Sequence, residues 1–190
     1  MTKSIILVGV GGQGTITTSS ILAKGLIEDG FDVKMSEIHG MSQRGGTVVT
    51  QIKYGEKVYS PIIGEGEADL IVSFEKAEAA RALPYLKKDG IIVTDDREIY
   101  PMTVLTGAAE YPKDAIDVLK GAASNVIVVQ AAKTAQELGN VKAQNIVLLG
   151  ALVKQLGLTD IDWKTIIANH VPPKTTELNL NAFEAGCRMG

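Results

Sequence analysis

Near its N-terminus the chain reads Ser4-Ile5-Ile6-Leu7-Val8-Gly9-Val10-Gly11-Gly12-Gln13-Gly14, an apolar run that leads into a glycine-rich turn. Short runs rich in β-branched residues are typical of buried parallel strands. Residues 14–29 then carry small or apolar side chains at helical spacing, and Gly30 follows as a helix-ending residue. Because residues 31–38 alternate as a second strand, this stretch predicts a β-α-β unit with a right-handed crossover.

The turn from Gly9 to Gly14 matches the pattern G-x-G-x-x-G, directly after a strand and at the start of a helix. Glycines in this pattern let a pyrophosphate approach the backbone, and the helix N-terminus offers unpaired N–H groups and a partial positive charge. Glu37 lies 23 residues beyond Gly14, close to the roughly 20 expected of an acid that binds a ribose hydroxyl. One interpretation is therefore an NAD or FAD pocket.

The other interpretation is a turn that packs helix on strand or meets the phosphates of a different ligand. Two features disfavour the dinucleotide pocket: Gln13 is larger than the turn needs, and the chain has no second domain for the substrate of a nicotinamide enzyme. An NAD-dependent dehydrogenase, a flavoprotein and a dinucleotide-sensing module all remain alternatives at this point.

The rest of the chain continues the alternation of strands and helices. Strands are predicted at 47–54, 69–73, 90–94 and 125–130, and helices at 75–83, 113–120, 131–138, 144–156, 161–170 and 176–186. A turn at Gly55-Glu56 and a return at Lys57–Tyr59 predict a hairpin. We therefore expect one domain over residues 1–190, a three-layer Rossmann-like α/β fold with a mostly parallel sheet and a hairpin insertion.

Composition excludes several classes of function. A net charge of −3 with no long Lys/Arg cluster argues against nucleic-acid binding. The apolar runs are far shorter than the roughly 18 residues that a membrane span requires. The N-terminal Met1-Thr2-Lys3 leads straight into a strand without a signal-peptide pattern, so we expect a cytoplasmic location. Cys187 is the single cysteine, and it cannot hold a four-thiolate cluster.

A second glycine-rich segment follows the second strand: His39-Gly40-Met41-Ser42-Gln43-Arg44-Gly45-Gly46. Loops that interrupt a rigid α/β scaffold often carry function. Arg44, flanked by glycines, can reach an anion such as a CoA phosphate or a carboxylate of another subunit, because its guanidinium binds both in bidentate fashion. The competing interpretation is a solvated loop arginine.

Together these segments resemble the γ-type domain of the 2-oxoacid:ferredoxin oxidoreductases. The resemblance rests on the turn Gly9–Gly14, the segment Ser36–Gly46, the stretch Gly64–Asp69 and the tail Glu177–Gly186, and it covers nearly the whole chain. The motif Met41-Ser42-Gln43-Arg44-Gly45-Gly46 resembles the corresponding motif in the indolepyruvate branch of the family.

The resemblance implies a subunit without a redox centre of its own. A large α subunit would carry thiamine diphosphate and 4Fe–4S clusters, and the complex would convert aryl pyruvates and CoA into aryl-acetyl-CoA and CO2 while reducing ferredoxin. On this chain it implies no metal site and no catalytic residue. The residues expected to help bind CoA are Gly9, Gly11, Gly12, Gln13, Gly14, Ser42, Gln43 and Arg44.

Other polar residues receive mostly structural interpretations. His39 is more often a surface hydrogen-bonding group than a catalyst, and Glu37 more often a solvated strand end. His170 fits a helix C-terminus. Asp95 and Asp96 are expected to cap a loop, since neighbours on an extended chain point apart. Asn145 either fixes the adjacent turn or faces a partner subunit.

Overall fold

The computed structural model describes residues 2–40 and 46–190, which form six β-strands and eight α-helices. The strands are β1 (Lys3–Val10), β2 (Asp32–His39), β3 (Thr47–Gly55), β4 (Ala68–Ser73), β5 (Leu86–Asp95) and β6 (Asn125–Val129). The helices are α1 (Thr15–Glu28), α2 (Lys76–Ala82), α3 (Met102–Leu105), α4 (Ala115–Ala122), α5 (Ala131–Glu137), α6 (Gln144–Leu156), α7 (Trp163–His170) and α8 (Thr176–Met189).

The strands form one sheet in the order β2-β3-β1-β4-β5-β6. β1, β4, β5 and β6 pair in parallel, and β3 pairs antiparallel with both β1 and β2. The sheet among the described residues is thus mostly parallel, as predicted. β1 and β2 belong to one β-α-β unit but are not neighbours, because β3 lies between them.

A hairpin is present, but it is formed by β2 and β3 and not by β3 and a strand that follows it. The return at Lys57–Tyr59 is wrong: this segment is not a strand, and β3 instead pairs with the preceding β2. Both edges of β3 are already occupied, by β1 and β2, so no edge is left for a returning strand. The Asp32 carboxylate accepts a hydrogen bond from the Val58 N–H at 2.8 Å, which holds the segment beside the sheet by a side chain.

Helices cover both faces of the sheet, which confirms the three layers. On β1 the side chains of Ile5 and Leu7 pack into one core with α1, α5, α6, α7 and α8. Those of Ile6 and Val8 pack into the other core with α2 and α4. This alternation follows from the two-residue period of a strand, and burial on both faces explains why β1 is apolar almost throughout.

Helix α6 is the most deeply buried helix, and it packs backbone to backbone against α8. A Cβ atom at Gly150 would overlap the carbonyl oxygen of Phe183, and one at Gly186 would overlap that of Val147. Glycine at both positions is therefore required by the close approach. The predicted bounds of α6, residues 144–156, agree with the structure.

The short helix α3 was missing from the sequence-based prediction. Its four residues are too few to show a helical period. Within residues 2–40 and 46–190, no helix is both long and apolar enough to span a membrane.

Candidate functional site

The glycine-rich turn joins the end of β1 to the start of α1, at the edge of the sheet where the parallel strands end. Gly12 and Gly14 have φ angles of +96° and +86°, a left-handed region that side chains with a Cβ atom disfavour. A Cβ at Gly14 would also lie 2.8 Å from Nδ2 of Asn145, whereas one at Gly12 would meet nothing within 4 Å. Gly14 therefore permits close packing against Asn145, whereas the lack of a side chain at Gly12 leaves open space beside the backbone.

The side chain of Gln13 links the end of β1 to the residue that follows β4. Its side chain is buried, its Oε1 accepts the Val10 N–H at 2.7 Å, and its Nε2 donates to the Phe74 carbonyl at 2.7 Å. A Cβ at Gly9 would lie 2.9 Å from Cβ of Phe74, so Gly9 permits this close contact. The structure therefore gives the large Gln13 side chain a bracing role between β1 and the end of β4.

The first turn of α1 has no side-chain cap. Gly14 occupies the N-cap position and has no side chain to accept the free N–H groups of the helix. Gly11 donates its N–H to the Gly46 carbonyl at 2.9 Å, which ties the turn to the beginning of β3. The helix end therefore carries unpaired donors and a partial positive charge, suited to an anion.

Two cavities flank the turn. The first has a volume of about 400 Å³ and mainly apolar side chains, and it is lined by Val10, Gly11, Gly12, Gly14, Thr15, Ile16, His39 and Val48. The second has about 330 Å³ and is lined by Gly12, Gln13, Gly14, Arg97, Val141, Lys142 and Gln144. Gly12 and Gly14 border both, so the turn separates an apolar space from one that carries two cations.

Arg97 and Lys142 are site residues that sequence reasoning missed. Arg97 follows β5, and its Nη1 donates to Oε1 of the buried Gln144 at 2.5 Å, which fixes the guanidinium near the turn. Lys142 is exposed in a single 3-10 turn that precedes α6. Only the position of Arg97 after a parallel strand gave a usable signal, because such strands end at one edge of the sheet.

Asn145 lies against the glycine-rich turn, whereas the sequence suggested either the turn adjacent to Asn145 or a partner subunit. Its amide is beside Gly14, and its backbone carbonyl accepts the Thr18 hydroxyl at 3.1 Å. Helix α6 thereby holds the first turn of α1 in place.

The remaining candidates have structural surroundings. Asp95 is buried and accepts the N–H groups of Ala131 and Ala132 at 3.1 and 3.0 Å, so it caps the first turn of helix α5, whereas the sequence predicted a loop cap. Burial raises the pKa of Asp95 to about 6. His170 is hydrogen-bonded through Nδ1 to the Ile166 carbonyl at 2.7 Å. Glu37 is exposed on β2, and burial raises the pKa of the half-buried Cys187 thiol.

Ser42, Gln43 and Arg44 lie outside the described residues. The residues on either side of that segment, His39 and Gly46, both contribute to the surroundings of the turn: His39 lines the apolar cavity and Gly46 binds Gly11.

Comparison with known proteins places this chain in a family. The family model described as pyruvate ferredoxin/flavodoxin oxidoreductase matches residues 4–189. The chain belongs to this family. It is 40% identical to the indolepyruvate oxidoreductase subunit IorB of Thermococcus kodakarensis, over 97% of this chain and 94% of the relative.

Two solved structures share the fold of this chain. Pyruvate oxidoreductase subunit PORC from Thermotoga maritima superimposes with a TM-score of 0.74 and 22% identity, over 99% of this chain and 96% of that one. The 2-oxoglutarate:ferredoxin oxidoreductase of Magnetococcus marinus, solved with 2-oxoglutarate, coenzyme A and succinyl-CoA bound, has a TM-score of 0.74 and 19% identity. There the match covers 99% of this chain and 31% of that chain.

These matches confirm the resemblance inferred from the sequence. The chain is a subunit of a 2-oxoacid:ferredoxin oxidoreductase, and the relatives give no support to an independent NAD- or FAD-dependent enzyme.

Proposed function

We propose that this chain is the subunit without a redox centre in an indolepyruvate:ferredoxin oxidoreductase. In the complex, an aryl pyruvate and CoA yield an aryl-acetyl-CoA and CO2, and the electrons pass to ferredoxin. The observation that carries the proposal is the 40% identity to an indolepyruvate oxidoreductase subunit over almost the whole of both chains. The aryl pyruvates would arise from transamination of aromatic amino acids, and we assign the complex to the cytoplasm.

The redox and decarboxylation chemistry belongs to the partner in this proposal. A large α subunit would hold thiamine diphosphate, which stabilises the carbanion left after decarboxylation, and 4Fe–4S clusters, which carry the electrons. The single cysteine of this chain cannot hold such a cluster, and Cys187 is half-buried in α8. Ferredoxin would then interact with the complex through the large subunit.

The glycine turn is the part of this chain that we assign to CoA. CoA combines anionic phosphates with less polar portions, and the turn lies between a cationic and an apolar cavity. Phosphates would meet the α1 N-terminus at Gly12 and Gly14, with Arg97 and Lys142 nearby. Gly9 permits the close contact with Phe74, the Gly11 N–H is bonded to Gly46, and Gln13 braces the turn.

The segment Ser42-Gln43-Arg44 completes the proposed CoA-binding surface. Its described neighbour Gly46 is bonded to the turn at Gly11. Replacing Arg44 by Ala in the assembled enzyme should raise the KM for CoA. An unchanged KM would show that Arg44 does not bind CoA.

The function is tested on the complex recovered from its native cells. A tagged copy of the chain is purified anaerobically, and whatever co-purifies is assayed for viologen reduction by indolepyruvate, with and without CoA. We expect a brown complex with a larger partner and a CoA-dependent rate. A colourless chain that recovers neither partner nor activity would contradict the proposal.

The CoA site is tested by Lys142→Gln in the same complex. Removing an exposed cation beside a phosphate should raise the KM for CoA by about three- to tenfold, with little change in kcat. Lys120→Gln removes the same charge from exposed α4, on the other face of the sheet, and is the matched control. Equal KM values for the two variants would contradict the assignment of Lys142.

A further inference from the structure

A third cavity lies at the same edge of the sheet but beside α2. It has a volume of about 230 Å³ and is bordered by the end of β1, the start of β3, α2 and the segment 99–112. Its ionisable lining groups are Glu75, Glu78, Glu110, Arg81 and Tyr111. Acidic groups therefore outnumber the single cation of the cavity.

One wall of this cavity is firmly fixed. Glu75 is buried, its Oε2 accepts the Glu78 N–H at 2.9 Å, and its Oε1 accepts the Tyr111 hydroxyl. Lys76 binds Oε1 of Glu98 at 2.5 Å and lies 5.7 Å from the centre of the Tyr111 ring. The carboxylate of Glu75 thus holds the wall together and has little capacity left for a ligand.

Glu78 is different, because its carboxylate is only partly paired. Its side chain is 9% exposed, and Oε1 lies 3.5 Å from Nε of Arg81, whose own side chain is 67% exposed. Its Oε2 is buried and has no hydrogen-bond partner among the described residues. Burial raises the pKa of Glu78 above its ordinary value, and a hydrogen bond from the Thr47 side chain and the charge of Arg81 offset this rise only in part. A buried acceptor without a donor is costly, so a donor that enters the cavity is strongly favoured.

The chemistry of the cavity selects an organic cation as the occupant. Among the described residues, no three His, Cys, Asp or Glu side chains are arranged to hold a metal ion. A guanidinium, by contrast, donates several hydrogen bonds in a planar fork and pairs well with a carboxylate in a confined space.

The rim of the cavity is apolar and exposed, as expected of a protein-binding surface. Pro101, Thr103 and Val104 line the cavity, and on the same short helix Met102 and Leu105 are 70% and 65% exposed. Protein interfaces concentrate binding energy where a desolvated arginine is surrounded by apolar contacts.

We propose that the cavity beside α2 receives an arginine side chain of the large subunit, which pairs with Glu78 while apolar residues cover Met102 and Leu105. The proposal deepens the proposed function and rests on it for the identity of the partner. It predicts that Glu78 weakens the free chain and strengthens the complex, because its buried charge is only partly compensated before assembly.

The test compares Glu78→Gln with the matched control Glu56→Gln, which removes the same charge at an exposed turn. Affinity for the purified large subunit is measured by titration, and the stability of the free chain by urea unfolding. We expect Glu78→Gln to weaken binding by about tenfold or more, as for truncated buried charge pairs, while the free chain is as stable as wild type or more so. Glu56→Gln should change neither quantity beyond twofold, as typical of exposed charges.

A second variant, Met102→Ser, tests the rim without altering the buried charge. It should weaken binding and leave the unfolding of the free chain unchanged. Binding by Glu78→Gln as tight as by Glu56→Gln would overturn this inference while leaving the proposed function intact. Destabilisation of the free Glu78→Gln chain would assign Glu78 to the fold and also overturn it. A wild-type chain that does not bind the large subunit would overturn both proposals.

Discussion

At the scale of single residues, the positions of the glycine turn have different structural roles. Gly14 is constrained by its φ of +86° and by Asn145, whereas Gly12 is constrained by its φ of +96° alone. Gln13, which looks from the sequence like a ligand-binding group, has its amide committed to Val10 and Phe74. The pattern G-x-G-x-x-G therefore predicts the shape of the turn, and it is a weaker indication of which ligand the turn binds.

Gly14→Ala should destabilise the chain more than Gly12→Ala. Both variants place a Cβ in the left-handed region, at a cost of about 1–2 kcal/mol each, and only Gly14→Ala also pushes against Asn145. The free energy of unfolding, measured in urea, checks this order. Adding Asn145→Ala to Gly14→Ala should recover part of the difference, because it removes the contacts with Nδ2 and Cγ at 2.8 and 3.1 Å but keeps the Cβ atom of residue 145 at 3.0 Å. Equal costs for the two single variants would show that Asn145 moves aside freely.

At the scale of elements, helix α5 depends on one buried carboxylate from another element. Asp95 at the end of β5 accepts two N–H groups of the first turn of α5. Burial raises its pKa from 3.8 to about 6, so the folded chain binds this proton more tightly than the unfolded chain does. Its contribution to stability is therefore full below about pH 4 and is lost as the pH rises through about 6.

Asp95→Asn should remove this part of the pH dependence. Between about pH 4 and 6 the wild-type free energy of unfolding should fall more with rising pH than that of the variant. Other groups, including Glu78, are common to both proteins and cancel in the difference. The variant should be less stable at each pH, since an amide can present only one acceptor to the two N–H groups. Parallel pH profiles would contradict the assignment.

The contact between α6 and α8 should tolerate no side chain at Gly150. Gly150→Ala would force a Cβ against the Phe183 carbonyl, a backbone atom that cannot rotate away, and overpacking of this kind costs about 1–3 kcal/mol. Gly121→Ala, in α4, meets nothing within 4 Å and should stabilise the helix by up to about 1 kcal/mol. Thermal unfolding should therefore shift in opposite directions, and a shared direction would contradict this packing.

At the scale of the whole molecule, the sequence predicts most elements because strands and helices here have clear periods. Helix α6 is apolar on nearly every face and was placed correctly, since a run of 13 residues is too long for a buried strand. The neighbours of β3 were not predictable from its own pattern. Pairing is decided by which sheet edges are free, and that depends on the whole chain.

The site was only partly predictable for a related reason. The turn is a local motif, so its position and shape follow from consecutive residues. Arg97 and Lys142 reach it through β5 and the turn before α6, and apart from the position of Arg97 after a parallel strand nothing in their immediate sequence marks them as neighbours of the turn. Glu78 resembles an ordinary helix-surface residue in the sequence, and it is buried by residues of β1, β3 and the segment 99–112 that are distant from it along the chain.

The chain by itself should catalyse no redox reaction. Purified without its partner, it should reduce no viologen with any 2-oxoacid, with or without CoA, because its single cysteine cannot hold a cluster. The reconstituted complex serves as the positive control in the same anaerobic assay. Dye reduction by the isolated chain would show that a redox centre resides on it.

The position of β3 between β1 and β2 also sets the order in which the chain can fold as it leaves the ribosome. All ladder hydrogen bonds of β2 are made to β3, so β2 has no partner strand when it is synthesised. The first pair of strands can close only after residue 55 has emerged, and β3 then engages β1 and β2 together. Until then the apolar β1 is exposed, and rapid insertion of β3 between β1 and β2 protects the nascent chain from aggregation.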